Sequence, residues 1–273
     1  MSERLNFAQH QERMLHMMVE FDAYCEKHGL RYFLAYGTLL GAVRHQGFIP
    51  WDDDVDLFMP RPDYERLLQE SEISEHTQIV SYRNPQQYNH PFAASVLADR
   101  HTIMVEDHVK IQTGKGIFCD IFPLDGLPDD PKERKRHLNR LERLQVLLCC
   151  GNSVEPGCGS LKNTVKTIIS KLLSHKDMKQ YAQKLDQLAQ KYDYDTSSYV
   201  IPAVAFDRAP EQFRRPRKDY ETFVRMPFCG HLFRVPAGYE AILKANYGDY
   251  MQLPPEEERN PHHGIQIYFR EQE

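Results

Sequence analysis

The 273-residue chain has a formal net charge of −5, with 41% hydrophobic and 27% charged residues and a mean hydropathy of −0.61. This composition predicts a globular chain with a sizeable core, and we expect one elaborated domain over 1–273. No apolar run approaches the roughly 18 residues of a membrane span, and the N-terminal segment lacks the apolar stretch of a signal peptide, so we expect a cytoplasmic protein. The six cysteines form no CxxC pair, which in that compartment predicts reduced thiols.

The predicted elements begin with an amphipathic helix over 8–28, which Gly29 ends. A β-rich run over 31–36 then leads into a short helix that opens at Gly37-Thr38. After a proline-marked loop, the alternating residues 54–59 predict a strand whose apolar side chains face a core. The first part of the chain is thus a helix followed by a strand, turn, helix and strand.

The remainder of the chain alternates between the two types of element. Further helices are predicted over 61–72, 131–150, 161–174, 177–192 and 237–245. Further strands are predicted over 78–83, 93–98, 102–105, 116–122 and 198–206. This alternation predicts an α+β fold in which a small mixed sheet has helices packed mainly on one side, with a helical insert over 131–195.

The acidic pair Asp54 and Asp56 is the strongest chemical feature of the sequence. In a strand, residues two apart project to the same face, so these two carboxylates lie close together and repel each other unless a cation lies between them. Carboxylate oxygens on a rigid strand suit Mg²⁺ or Mn²⁺, whose remaining ligands are typically substrate phosphates. The strand therefore predicts a metal-dependent phosphoryl-transfer site, with an acidic surface strand end as the structural alternative.

Gly37 and Thr38 predict the part of the site that binds phosphate. A glycine lets the backbone approach a ligand closely, and the amide groups of a helix N-terminus, together with a threonine hydroxyl, are suited to donate to phosphate oxygens. The order of strand, Gly-Thr turn, helix and carboxylate strand resembles the nucleotidyltransferase superfamily. Its polymerase-β-type palm, a mixed sheet with helices, is the fold that this resemblance implies.

Three sequence blocks resemble the LicD family, the phosphocholine transferases whose eukaryotic relatives include fukutin and its related protein. The blocks are GTLLGAVRHQGFIPWDDDVDLFMPR (37–61), GIFCDIFPLDGLP (116–128) and VPAGYEAILKANYGDYMQLPP (235–255). They occur in order along nearly the whole chain, whereas the middle, roughly 131–200, carries no matching motif. This variable middle leaves the acceptor substrate open.

The resemblance implies transfer of a phospho-alcohol from a CDP-alcohol donor, most simply phosphocholine from CDP-choline, with release of CMP. The acceptor that it implies is a hydroxyl of a cell-surface glycan or glycolipid, such as a lipopolysaccharide or teichoic-acid-type precursor. Two alternatives stay open at this point. One is a nucleotidyltransferase that uses a nucleoside triphosphate and releases pyrophosphate, and the other is a non-catalytic module that binds nucleotide or glycan.

Asp120, inside the apolar run 116–122, is the preferred third carboxylate, either as a metal ligand or as a general base toward the acceptor hydroxyl. Asp125 is the rival, although Leu124-Asp125-Gly126 is also typical of a turn. Arg44 lies on the helix that follows the Gly-Thr turn and is expected to neutralise donor phosphates as the bond breaks. An ion pair with the acidic run 52–56 is the alternative for Arg44.

Three other features are weaker candidates. Trp51, the single tryptophan, is expected either to stack on the donor base or to pack beneath its loop. The His262-His263 pair predicts a role in proton transfer or phosphate binding, with His263 as the substrate-binding residue. Tyr247-Gly248-Asp249-Tyr250 lies in the third block, but a glycine that ends a helix explains it without a ligand.

Charge is concentrated in the stretch 131–184, where twelve Lys and Arg residues face four Asp and Glu residues, a net charge of +8. A basic helical block of this kind is suited to anionic headgroups or an acidic polymer, so a peripheral contact with the inner face of the membrane is one interpretation. A solvated helix face is the other interpretation. The absence of interleaved aromatic residues in the stretch argues against nucleic acid as a partner.

Overall fold

The structure is a computed structural model. It describes residues 4–69, 72–84, 90–105, 112–152, 177–205, 210–259 and 266–270. The predicted helix over 161–174 and most of the loop before it lie outside the described residues. None of the helices in these ranges is long and apolar enough to cross a bilayer.

The first helix, α1, confirms the prediction from the N-terminal sequence. It spans Phe7–His28 and begins at a capping box, in which Asn6 and Gln9 each accept a hydrogen bond from the other's backbone amide. It ends at Gly29, whose φ of 61° lies in the left-handed region that a glycine adopts without strain. Its apolar face, which includes Met14 and Phe21, is buried in the main core.

The strands of the main sheet are β1 (Phe33–Leu34), β2 (Asp56–Pro60), β3 (Thr77–Val80), β4 (Ser95–Asp99), β6 (Phe118–Leu127), β7 (Tyr199–Ile201) and β8 (Arg215–Pro216). Their order is β1-β2-β6-β4-β3, and β7 and β8 extend the sheet from the C-terminal half of β6. Strands β2 and β6 run parallel, and the other described neighbours run antiparallel. The sheet is therefore mixed, as predicted, and the two parallel strands lie at its centre.

Two short antiparallel ladders accompany the main sheet. One pairs β5 (Thr102–Val105) with β11 (Gln266–Phe269), and the other is a hairpin of β9 (Phe223–Phe228) and β10 (His231–Pro236). Cys229 and Gly230 form the hairpin turn with φ values of 49° and 82°. Positive φ at both central positions is typical of the two-residue turns that match strand twist, and the sequence interpretation missed this hairpin because Cys-Gly is a weak turn signal.

The other helices of the described part are α2 (Tyr36–His45), α3 (Arg61–Leu67), α4 (Pro131–Asn152), α5 (Met178–Ala189) and α6 (Tyr239–Tyr247). Helices α4 and α5, from the predicted insert, pack on each other and on the end of the sheet. Their second core includes Leu141 and Leu185 together with Leu127 of β6 and Ile201 of β7. The insert thus shares a core with the sheet to which it is attached.

Several predicted element boundaries are wrong. Strand β2 begins at Asp56 rather than 54, so Asp54 precedes the strand, and β1 is limited to Phe33–Leu34. Helix α3 ends at Leu67 rather than 72, and the strand predicted over 198–206 is limited to β7. The turn predicted at 124–126 does not form, because β6 continues through Asp125 to Leu127 and pairs with β7. Asp125 is tolerated inside this strand because its carboxylate is paired with the buried Arg61.

Candidate active site

Asp56 and Asp120 lie side by side on the two central parallel strands. Asp56 begins β2, and its register partner on β6 is Asp120. Neighbouring strands are about 4.8 Å apart, and paired residues of a parallel ladder project to the same face. Both residues are half-buried. The fold therefore brings together two carboxylates that are far apart in the sequence.

The residues that alternate with this pair lie in the core, as predicted. Leu57 of β2 and its register partner Ile121 of β6 are each at most 1% exposed, and Val55 and Met59 are completely buried. These side chains pack in the main core with the apolar face of α1. One face of the two strands thus fixes the backbone, while the other presents the carboxylates.

Acidic side chains surround Asp56. Burial raises the pKa of Asp56 well above its ordinary value, and the charges of Asp54, Asp120 and Asp52 raise it further. A cation would relieve this repulsion, and Mg²⁺ is commonly held by one or two carboxylates with water and substrate phosphates completing its shell. Among the described residues, no group of three His, Cys, Asp or Glu side chains is arranged to hold a metal ion by itself. The donor set thus fits an open site rather than a closed cage.

Gly37 and Thr38 lie in the first turn of α2, next to the acidic cluster. A Cβ built on Gly37 would lie 2.7 Å from Oδ2 of Asp52, so a larger residue at position 37 would displace that carboxylate. Thr38 is 3% exposed, and its Oγ1 accepts a hydrogen bond of 2.9 Å from the backbone amide of Asp56. Thr38 therefore connects the start of α2 directly to the residue that begins β2.

This contact makes a testable prediction for Thr38→Val, which keeps the shape of the side chain but removes the acceptor for the Asp56 amide. We expect the free energy of unfolding to fall by about 1–3 kcal/mol, because a buried N–H loses its partner, and kcat to fall with it. Chemical denaturation and steady-state kinetics measure the two effects. Thr38→Ser keeps the hydroxyl and should keep most of the parental stability and kcat. A valine variant as stable and as active as the parent would show that this hydrogen bond contributes little.

Two tyrosines lie beside the carboxylates. Burial raises the pKa of Tyr36, and the charge of Asp56 contributes. Burial also raises the pKa of Tyr247, with contributions from Asp56, Asp52 and Asp54, although its side chain is 42% exposed. Interpretation of the sequence misses Tyr36 and attributes Tyr247 to a helix end. The available signals were the position of Tyr36 directly before Gly37 and the place of Tyr247 in the third block.

The structure places Arg44 at the end of α2, where its Nη1 donates to the carbonyl oxygens of Tyr250 and Gln252, at 3.0 and 3.2 Å. Burial lowers the pKa of this guanidinium, whereas Tyr247 raises it. Arg44 therefore holds the chain that follows α6 and lies within electrostatic reach of Tyr247. Its proposed contact with donor phosphates stays a prediction.

Trp51 is half-buried and packs against the main core. The guanidinium of Arg259 lies over its ring, 5.6 Å from the centroid, and the ring of His45 meets it edge-on at 6.4 Å. These contacts support the packing alternative for Trp51, and a stacked donor base stays a prediction. His262 and His263 lie outside the described residues.

Asp125 does not join the carboxylate cluster. It is 1% exposed, and its two oxygens accept from Nε and Nη2 of Arg61, at 2.6 and 2.9 Å. Asp125 lies five positions after Asp120 on β6, a distance of roughly 16 Å along the extended chain. Of the two candidates, Asp120 is therefore the one that the fold brings to Asp56.

The neighbouring acidic residues have structural contacts of their own. The backbone amide of Asp52 donates to the carbonyl of Ile49 at 2.9 Å, which is a turn, and its carbonyl accepts from Nε2 of Gln11. Asp53 is 8% exposed and raises the pKa of His10, which burial lowers more strongly. The loop between α2 and β2 is thus fastened to the start of α1, and this arrangement holds the acidic run beside α2.

The family model described as LicD/FKTN/FKRP, nucleotidyltransferase domain, matches residues 29–137. The lipopolysaccharide cholinephosphotransferase LicD of Haemophilus influenzae is 31% identical over 274 aligned residues, which cover 98% of this chain and 99% of that protein. The chain belongs to the LicD family.

A second relative is similar over a shorter segment. The ribitol 5-phosphate transferase FKRP of Homo sapiens is 62% identical over 32 residues, which are 12% of this chain and 6% of that protein. The family model includes Gly37, Thr38, Asp54, Asp56 and Asp120 within its matched range. The LicD family assignment expected from the three sequence blocks is thereby confirmed.

Proposed function

We propose that this LicD-family protein transfers a phospho-alcohol, phosphocholine from CDP-choline in the simplest case, to a hydroxyl of a glycan or glycolipid. The observation that carries the proposal is the in-register pair Asp56 and Asp120 beside the start of α2. The near full-length similarity to a lipopolysaccharide cholinephosphotransferase supports the choice of donor and acceptor. A nucleotidyltransferase that uses a nucleoside triphosphate needs a similar site and is the competing reaction.

In the proposed reaction, the acceptor oxygen forms a bond to the phosphorus that carries the alcohol. The bond from this phosphorus to the bridging oxygen breaks, and CMP leaves with the electron pair. A divalent cation, Mg²⁺ or Mn²⁺, held by Asp54 and Asp56, with Asp120 either as a third ligand or as the general base, would neutralise the diphosphate charge. Gly37 allows the donor to approach the first amides of α2, which are suited to bind its phosphate oxygens. The hydroxyl proton is accepted by a carboxylate, for which Asp120 is the candidate.

A donor panel tests this proposal. Thermal unfolding would be followed with CDP-choline, CDP-ethanolamine, CMP, CTP and ATP, each with Mg²⁺, with Mn²⁺ and with a chelator. A ligand that binds only the native state raises Tm, and saturation at 100 times Kd corresponds to about 2.7 kcal/mol. We expect stabilisation by a CDP-alcohol that requires the metal, together with release of CMP when an acceptor sugar is added. Metal-dependent binding of a triphosphate with release of pyrophosphate would favour the competing reaction.

A further inference from the structure

Half-buried aromatic rings line the sheet face that carries Asp120. Phe118 and Phe122 are two residues before and after Asp120 on β6, so all three side chains project to the same face. The ring of Tyr36 meets Phe122 edge-on with centroids 6.3 Å apart, and it meets Phe213 in the same manner at 6.1 Å. Each of these four rings is half-buried. Apolar groups are thus available directly beside a strongly acidic centre.

The space between these rings and the carboxylates favours a positively charged group. Tyr36 and Tyr247 lie within electrostatic reach of Asp56, and the ring face of an aromatic side chain attracts positive charge. One cation of the chain, Arg215, lies near Tyr36. Its guanidinium donates to Oδ1 of Asn246 and to two backbone carbonyls. The carboxylates and the ring faces together therefore suit a bulky, weakly hydrated cation.

One ring on this face already carries an ammonium group. The Nζ atom of Lys115 lies 3.6 Å from the centroid of Phe118, and Lys115 is 4% exposed. The chain thus uses a cation–π contact on one side of Asp120. On the other side of Asp120, at the same distance along the strand, is Phe122.

The spacing along β6 agrees with the size of a phosphocholine group. Two residues of a strand rise roughly 6.6 Å, which is the separation of Asp120 and Phe122 along β6. The phosphorus and nitrogen atoms of phosphocholine are roughly 5 Å apart when single bonds of about 1.5 Å are extended. A phosphate bound near Asp56 and Asp120 would therefore bring a trimethylammonium group over Phe122.

We propose that Tyr36, Phe122 and Phe213 form a subsite for the quaternary ammonium group of the donor alcohol. This inference rests on the proposed function, because it assumes a CDP-alcohol donor at the carboxylates. Beyond the proposed function, it makes aromatic side chains responsible for the selection of the donor's alcohol. Recognition of quaternary ammonium ligands by aromatic side chains is a general use of the cation–π interaction.

The test compares two donors of nearly equal shape. CDP-choline carries a trimethylammonium group, and CDP-3,3-dimethylbutanol carries an uncharged tert-butyl group in its place. We expect Phe122→Leu and Phe213→Leu each to lower kcat/KM for CDP-choline by about 5- to 30-fold and to change the uncharged donor by no more than about twofold. Phe122→Tyr keeps an aromatic ring and should keep the preference for CDP-choline. This variant keeps the proposal testable if a leucine variant fails to fold.

Phe269→Leu is the matched control. Phe269 is half-buried with the Arg13 guanidinium 5.2 Å from its centroid, but it lies on β11, outside the candidate site. This variant should leave the ratio of the two donors unchanged. Equal losses for both donors in Phe122→Leu and Phe213→Leu would overturn the ammonium subsite and leave the proposed transfer reaction intact. If neither CDP-alcohol were turned over while a triphosphate was, the proposed function would fail, and the subsite with it.

Discussion

Replacing Asp56 by asparagine is expected to lower turnover by at least ~10³-fold, because the variant loses several kcal/mol of charge stabilisation at the reacting phosphate. The size and shape of the side chain hardly change, and the hydrogen bond from the Asp56 amide to Thr38 is made by the backbone. In the absence of metal, the variant should be at least as stable as the parent, since repulsion from Asp54 and Asp120 is relieved. Turnover measured as CMP release and unfolding measured by denaturant separate these two effects.

The same variant tests the metal directly. The Tm increase produced by CDP-choline with Mg²⁺ should disappear in Asp56→Asn. Asp195→Asn is the control, because Asp195 is an exposed acid outside the cluster, and it should keep both activity and metal-dependent stabilisation. Full activity in Asp56→Asn would contradict the metal site. Absence of turnover in both the parent and the variant would instead favour the non-catalytic alternative.

Asp120→Asn distinguishes the two roles considered for Asp120. If Asp120 is a metal ligand, the variant should lose metal-dependent donor binding together with turnover. If it is the general base, donor binding with Mg²⁺ should persist while turnover falls by about 10²- to 10⁴-fold. The register pairing of Asp120 with Asp56 is compatible with both roles, so the binding measurement decides between them.

Local signals in the sequence predicted the local structure around the site. Gly29 ends α1, Gly37-Thr38 lies in the first turn of α2, and the apolar residues 55, 57 and 59 are buried as predicted. Each of these features depends on residues only a few positions apart, for which spacing and glycine conformation are informative. The α+β class and the mixed sheet followed from the same patterns.

Long-range pairing was beyond such signals. No sequence pattern states that Asp56 lies in register with Asp120, because that pairing depends on a parallel crossover of more than fifty residues. Local sequence favours a turn at Asp125, because aspartate is rare inside strands and its buried partner Arg61 is 64 positions away. Tyr247 was explained as part of a helix end, whereas the fold brings it to the acidic cluster.

The buried ion pairs of Arg61 lead to the second large expected effect, a loss of about 3–5 kcal/mol in the free energy of unfolding for Arg61→Met. Arg61 is 7% exposed and follows directly after β2. Its guanidinium donates to both oxygens of Asp125 and, at 2.9 Å, to Oδ1 of Asp186 on α5. Methionine fills a similar volume but leaves Asp125 buried without its charged partner, and this desolvated charge is the source of the loss.

Urea denaturation followed by the fluorescence of Trp51, the single tryptophan, measures the effect on the region of the site. Arg66→Met is the control, because the Arg66 side chain is 55% exposed and it should change stability by no more than about 1 kcal/mol. A loss of that small size in Arg61→Met would mean that the buried pairs contribute little. The triple variant with Asp125→Leu and Asp186→Leu should recover most of the lost stability, since neither buried carboxylate is then left without its arginine. Arg83 loses Asp186 but keeps Glu65, and the loss of the Tyr82 hydroxyl's acceptor accounts for the part that is not recovered.

Arg61 joins the C-terminal part of β2 to that of β6, the two strands that carry the site, so its loss should also lower the rate of the reaction. The bidentate pair ties the residue after β2 to β6, on the strands whose other ends hold Asp56 and Asp120. We therefore expect kcat of Arg61→Met to fall even at temperatures where the variant is folded, with KM for the donor changed less. The apolar triple variant is the discriminating measurement. If packing alone fixes the register of β2 and β6, kcat of the triple variant should recover together with stability. If the bidentate Arg61–Asp125 pair is required, stability should recover without kcat.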